Sequence, residues 1–134
     1  MQIRRSIDIE NAVRLILADY MTAFCRPLPE TYTLPNILVT AVGGSQETDW
    51  HGSDQADTFT VNLTSRGETE ASALELLRTA LGVLQAVQGG VLLRVRVNSQ
   101  YSWGVDPMRP DLAMAGATLL ITARPEITDV QIES

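Results

Sequence analysis

The chain has 134 residues, 45% of them apolar and 19% charged, with a formal net charge of −6. That length suits one domain around one core, and the composition excludes fibrous and low-complexity classes. Its ten basic residues are all arginine and form no run, which argues against a basic arm for gripping nucleic acid or anionic lipid.

Ile9, Ala12, Val13, Ile16, Leu17, Tyr20, Met21 and Phe24 recur at three- and four-residue steps, the stripe of an amphipathic helix. Asp8 or Ser6 can cap its start, and Pro27 and Pro29 forbid its continuation, so the spacing predicts a helix over about residues 8 to 24. Ile37 to Val42, between Pro35 and Gly43-Gly44, reads as a strand. Ser45 to Gln55 is small, polar and acidic, and predicts a long loop before the alternating strand Phe59, Val61, Leu63. Ser65-Arg66-Gly67-Glu68 has the spacing of a capping box. A second helix should follow over about 67 to 87, with an apolar face of Ala71, Leu74, Leu77, Leu81 and Leu84 and a stop at Gly89-Gly90.

Val91, Leu93, Val95 and Val97 alternate with Leu92, Arg94, Arg96 and Asn98, a strand with one buried and one wet face. Tyr101 to Ala113, with Trp103, Gly104, Pro107 and Pro110, reads as an irregular excursion. Ala117 to Ala123 alternates again. The expected class is α+β, in the order α-β-β-α-β-β: one four-stranded, mainly antiparallel sheet with two amphipathic helices on one face. Residues 1–134 form one domain, with 1–7 and 126–134 as loose ends. The second sheet face should carry Thr60, Asn62, Thr64, Arg94, Arg96, Thr118 and Thr122, polar enough for water or for a polar neighbour.

Cys25 is the only cysteine, so an intrachain disulfide or a cysteine-based zinc site lacks its ligands. Ending an apolar stripe, Cys25 reads as a buried inert thiol. His51 is the only histidine, and a metal there would need Asp49, Asp54 or Asp57. A solvated loop is the plainer reading of these residues with Glu47, because the ligand spacing of a calcium loop is absent. Gly43-Gly44 is followed by neither Lys nor a helix, so it is a strand-end turn and not a phosphate cradle. Trp50 and Trp103 sit in polar, glycine-containing stretches where periodicity demands no aromatic. Such tryptophans either fold back over a sheet edge or anchor an interface. The start of the chain lacks the apolar core of a secretory signal, and no segment is apolar for long enough to span a bilayer, so a soluble product is expected.

The layout resembles the tail terminator or tail-completion (minor tail) proteins of long-tailed, lambda-like bacteriophages. The resemblance is carried by the helix beginning Asp8-Ile9-Glu10, the strand from Pro35 to Gly44, the strand Phe59 to Leu63 meeting the helix from Thr69 to Leu77, and the closing strand Ala117 to Pro125. It implies a non-enzymatic virion protein without cofactor or metal. Such a protein is made in the host cytoplasm and forms a ring, expected to be hexameric. The ring closes the head-proximal end of the tail tube, so its partners would be itself, the tail-tube protein and the head-connector protein. DNA would pass through the lumen without tight binding, as an acidic wall repels phosphate. The residues expected at the interface are Trp50, His51, Trp103, Arg94 and Arg96. Two alternatives stay open: another connector, adaptor or tail-tube subunit, or a small enzyme or ligand-binding domain using Asp49, His51, Asp54 or Asp106.

Overall fold

A computed structural model describes residues 1–46, 56–106 and 109–131, with 44–46, 100–103 and 105 described by backbone only. In chain order the elements are β1 (Gln2–Arg5), α1 (Ile9–Ala18), β2 (Ala23–Cys25), β3 (Asn36–Gln46), β4 (Asp57–Gly67), α2 (Glu70–Ala86), β5 (Leu92–Asp106), β6 (Arg109–Ala123) and β7 (Glu126–Asp129). The fold is α+β, with a main sheet ordered β2-β3-β4-β6-β5. Among the described strands of this sheet, β2 and β3 pair in parallel and the other neighbours are antiparallel. β4, α2 and β5 form a crossover between parallel strands, and β6 returns into the gap between them, a split β-α-β unit.

The core follows from alternation. Val61, Leu63 and Ser65 of β4 and Ala115, Ala117, Leu119 and Ile121 of β6 are buried on one sheet side. Val13 and Leu17 of α1 and Leu77, Ala80, Leu81 and Leu84 of α2 join them in one cluster. Each fully buried Leu or Ile contributes about 1.5 to 3 kcal/mol. An exposed ion pair such as Arg5–Glu126 contributes at most about 1 kcal/mol. Apolar burial therefore decides the fold.

The main sheet has five strands and not the expected four, because the helix predicted to reach residue 24 stops at Ala18. Asp8 Oδ1 caps it, accepting from Asn11 N at 3.2 Å. Tyr20 N and Met21 N then both donate to Leu17 O, closing the last turn, and Ala23–Cys25 pairs with Ile37–Val39 instead. Pairing with β3 overrides a spacing that a helix could also have used.

The ends expected to be loose instead include a ribbon. Gln2–Arg5 pairs antiparallel with Glu126–Asp129. Asp57 fastens it to the sheet, accepting from Arg4 Nη2 at 2.6 Å and from Ser6 Oγ at 2.9 Å. Asp57 was expected in a solvated loop, yet it is buried at the start of β4.

The expected capping box at Ser65 lies four residues too early. Ser65 belongs to β4, buried, with its hydroxyl 2.7 Å from Ala73 O and 3.2 Å from Ala115 O. Thr69 and Ser72 form the actual box. Gly67 lets the two elements meet, since a Cβ there would approach Ala73 N to 2.9 Å.

Strand lengths also exceed the expectation. β3 continues beyond Gly43-Gly44 through a bulge between Ala41 and Gly43, which leaves Val42 exposed. Of the stretch read as an irregular excursion, 101–106 and 109–113 belong to the long antiparallel β5·β6 pair, which has register shifts at Leu92/Arg94, Val97/Ser99, Ser99/Ser102 and Val105/Asp106. The first three shifts each add one residue on β5 and the last adds three on β6, so a period of two does not carry through β5.

Candidate functional site

Both helices cover one face of the main sheet, and the opposite face carries no helix among the described residues. Its rows follow from the register. Thr58, Thr122 and Arg94 lie across from one another, then Thr60, Leu120 and Arg96, then Thr40, Asn62, Thr118 and Ser99. Thr118 Oγ1 donates to Asn62 Oδ1 at 2.9 Å, and the Thr58 and Thr122 hydroxyls are 3.4 Å apart. These threonines are half-buried by their neighbours, whereas Arg94 and Arg96 are exposed. Neither arginine forms an ion pair among the described residues.

At the other end of this face lies a group that sequence reading missed. Arg66 Nε donates to Asp106 Oδ2 at 2.9 Å, with the two side chains only 11% and 7% exposed. Asn36, paired across the strands with Arg66, is fully buried. The buried Nη1 of Arg66 and Oδ1 of Asn36 meet no hydrogen-bond partner among the described residues. Beside the pair opens a cavity of about 420 Å³ lined by Leu28, Pro29, Glu30, Tyr32 and Arg109. The sequence offers Asp106 only as a polar group of a candidate pocket near the long loops. Its partner lies 40 positions away, and no local spacing announces such a pair.

Of the other expected site residues, Trp103 lies on β5 in register with Ala115. It is therefore on a strand and not in an irregular segment. Trp50 and His51, like Glu47, Asp49 and Asp54, lie outside the described residues. Among the described residues, no three His, Cys, Asp or Glu side chains come together to share a metal ion. No helix among them is long and apolar enough to cross a membrane.

Cys25 sits on β2 and is half-buried, not buried at a helix end as expected. Burial pushes its thiol up from the ordinary value, with Arg14 opposing in part. The protonated thiol is therefore favoured, and a thiol is a poor nucleophile compared with a thiolate. Cys25 shares a second cavity, of about 490 Å³, with Asp8, Asn11, Arg14 and Glu10.

Glu10 joins α1 to the sheet, accepting from Arg26 Nη2 at 2.6 Å and from Ala41 N at 3.1 Å. The Arg26 hydrogen bond is the main cause that holds its carboxyl below the ordinary 4.5, and burial opposes it. A depressed folded-state value adds stability above the unfolded value, and that stability is lost as pH falls through the folded one. Glu10→Gln should therefore flatten the decline in stability below about pH 4.5, read by urea unfolding across the acid range. An unchanged acid limb would remove Glu10 as a source of that decline.

No protein-family model matches the chain, and no curated protein matches it in sequence.

Proposed function

We propose that the protein is a structural subunit of a bacteriophage tail, forming a ring that closes the head-proximal end of the tail tube and offers the surface on which the head is joined. The observation that supports this reading most is the uncovered sheet face. A sheet with helices on one side alone leaves its second side for solvent or for a neighbour. Here that side carries half-buried threonines, Asn62, Leu38 and Leu120, a surface suited to close contact with another polar protein.

The sheet edges point the same way. β2 is three residues long and followed by Pro27, and β5 is broken by register shifts and carries Arg94 and Arg96. Short strands, bulges and charges all guard an edge against strand addition. Contact through faces is then the open route. The net charge of −6 suits a lumen through which DNA slides without being held.

Light scattering on the purified chain, followed by its addition to growing tail tubes, tests the proposal. The expected result is a particle of discrete multimeric mass that stops tube growth and renders the tubes competent for head joining. A chain that stays monomeric at every concentration and leaves tubes growing would overturn it. Self-assembly into long open tubes would identify a tube subunit instead.

A further inference from the structure

The cavity beside the buried Arg66–Asp106 pair is lined by side chains that the ring reading does not use. We propose that it binds a small neutral molecule carrying a carboxamide, held between the 28–32 segment and the sheet, with Arg66 as hydrogen-bond donor and Asn36 as acceptor. The site belongs to a single subunit, so it is independent of ring formation.

Unmet hydrogen bonds are the first argument. Arg66 gives its Nε to Asp106, and its buried Nη1 has no acceptor among the described residues. Asn36 lies directly across from Arg66 in the β3·β4 pair and gives its Nδ2 to Thr33 O at 3.0 Å. Its Oδ1, also buried, meets no donor among the described residues. Buried polar atoms are rarely left unpaired, and here one donor and one acceptor remain on neighbouring side chains. A carboxamide supplies both complements on one planar group, its carbonyl accepting from Arg66 and its N–H donating to Asn36.

Charge decides against the ionised alternatives. Arg66 and Arg109 line the cavity, and so do Asp106 and Glu30. A carboxylate would face the two acidic groups and an ammonium the two arginines, whereas a neutral ligand meets neither repulsion.

Shape is the third argument. The volume of about 420 Å³ lies within the range of small-molecule sites, which combine apolar walls with a few converging polar groups. Leu28, Pro29 and Tyr32 supply the apolar wall here. They belong to the connection between β2 and β3, which has neither helix nor strand over 28–32. Arg66 Nη1 and Asn36 Oδ1 are closed to solvent in the domain alone, so the ligand reaches them by parting that segment from the sheet.

Benzamide, benzoate, benzamidinium and acetophenone share one ring and differ in charge and hydrogen-bonding groups. Their titration into the isotope-labelled protein, followed by amide NMR, tests the proposal. Benzamide should bind at least about tenfold more tightly than each of the other three, since a site built around a donor and an acceptor rejects analogues that leave either unpaired. Its ring protons should show Overhauser contacts to Leu28 and Tyr32. Arg66→Met/Asp106→Leu, which removes the donor without stranding a charge, should abolish the preference for benzamide over acetophenone. Any of the other three binding as tightly as benzamide would overturn the proposal. So would a ring seated away from Leu28 and Tyr32, or no binding of benzamide up to its solubility limit. These measurements need only the parent chain, and a folded double variant that keeps the preference would overturn the assignment of Arg66 as donor.

Discussion

Asp106→Ala is expected to destabilise the fold by about 3 to 5 kcal/mol, the usual cost of removing one partner from a buried ion pair. The guanidinium of Arg66 is almost wholly buried and donates through Nε to Asp106 at 2.9 Å. Its Nη1 already lacks a partner among the described residues. Deleting the carboxylate leaves a positive charge out of water with still fewer hydrogen bonds, and in a poorly polarisable setting that cost dominates any relief of packing. The adjoining cavity lets solvent approach, which places the expected value toward the lower end of the range. Arg66→Met/Asp106→Leu should recover most of the loss, because an apolar pair of similar volume needs no compensation. Urea unfolding of the parent, the single variant and the double variant reads all three. A double variant that is less stable than the single one would show that the cost comes from lost shape and not from the stranded charge.

Much of the covered half of the fold was legible in the sequence, because one-sided burial imposes a period. Val61 and Leu63 alternate with Asn62 and Thr64, and Leu119 and Ile121 with Thr118 and Leu120; the structure places the first set against the helices. Leu77, Leu81 and Leu84 likewise announced α2. What escaped was set by contacts distant along the chain. The β1·β7 ribbon joins Gln2 to Asp129, and neither strand has an apolar alternation of its own. β2 is three residues whose spacing continued a helical stripe. Ser65 imitated a cap because Ser-x-x-Glu costs nothing to write, while its neighbours Leu63 and Gly67 committed it to β4. For the candidate surface, alternation alone placed Arg94 and Arg96 on the wet side of their strand. That they meet no acidic partner among the described residues and that Asp106 binds Arg66 are facts of three-dimensional register, which bulges along β5 had shifted out of view.

The difference between the two sheet faces yields a paired expectation. Leu77 is fully buried between α2 and the sheet. Leu77→Ala should therefore cost about 2 to 5 kcal/mol, as lost transfer energy and the remaining cavity add together. Leu120, half-buried on the uncovered face between Thr60 and Arg96, has water on one side in the isolated subunit. Leu120→Ala should change monomer stability by less than about 1 kcal/mol, since little apolar area is exposed to solvent by the change. If a neighbouring subunit packs on that face in the proposed ring, the same substitution should weaken assembly well beyond its effect on folding, because contacts made only in the ring are lost only there. Denaturant unfolding at low concentration and particle mass at high concentration separate the two effects. A Leu120→Ala chain whose assembly is untouched would place the contact elsewhere on the molecule.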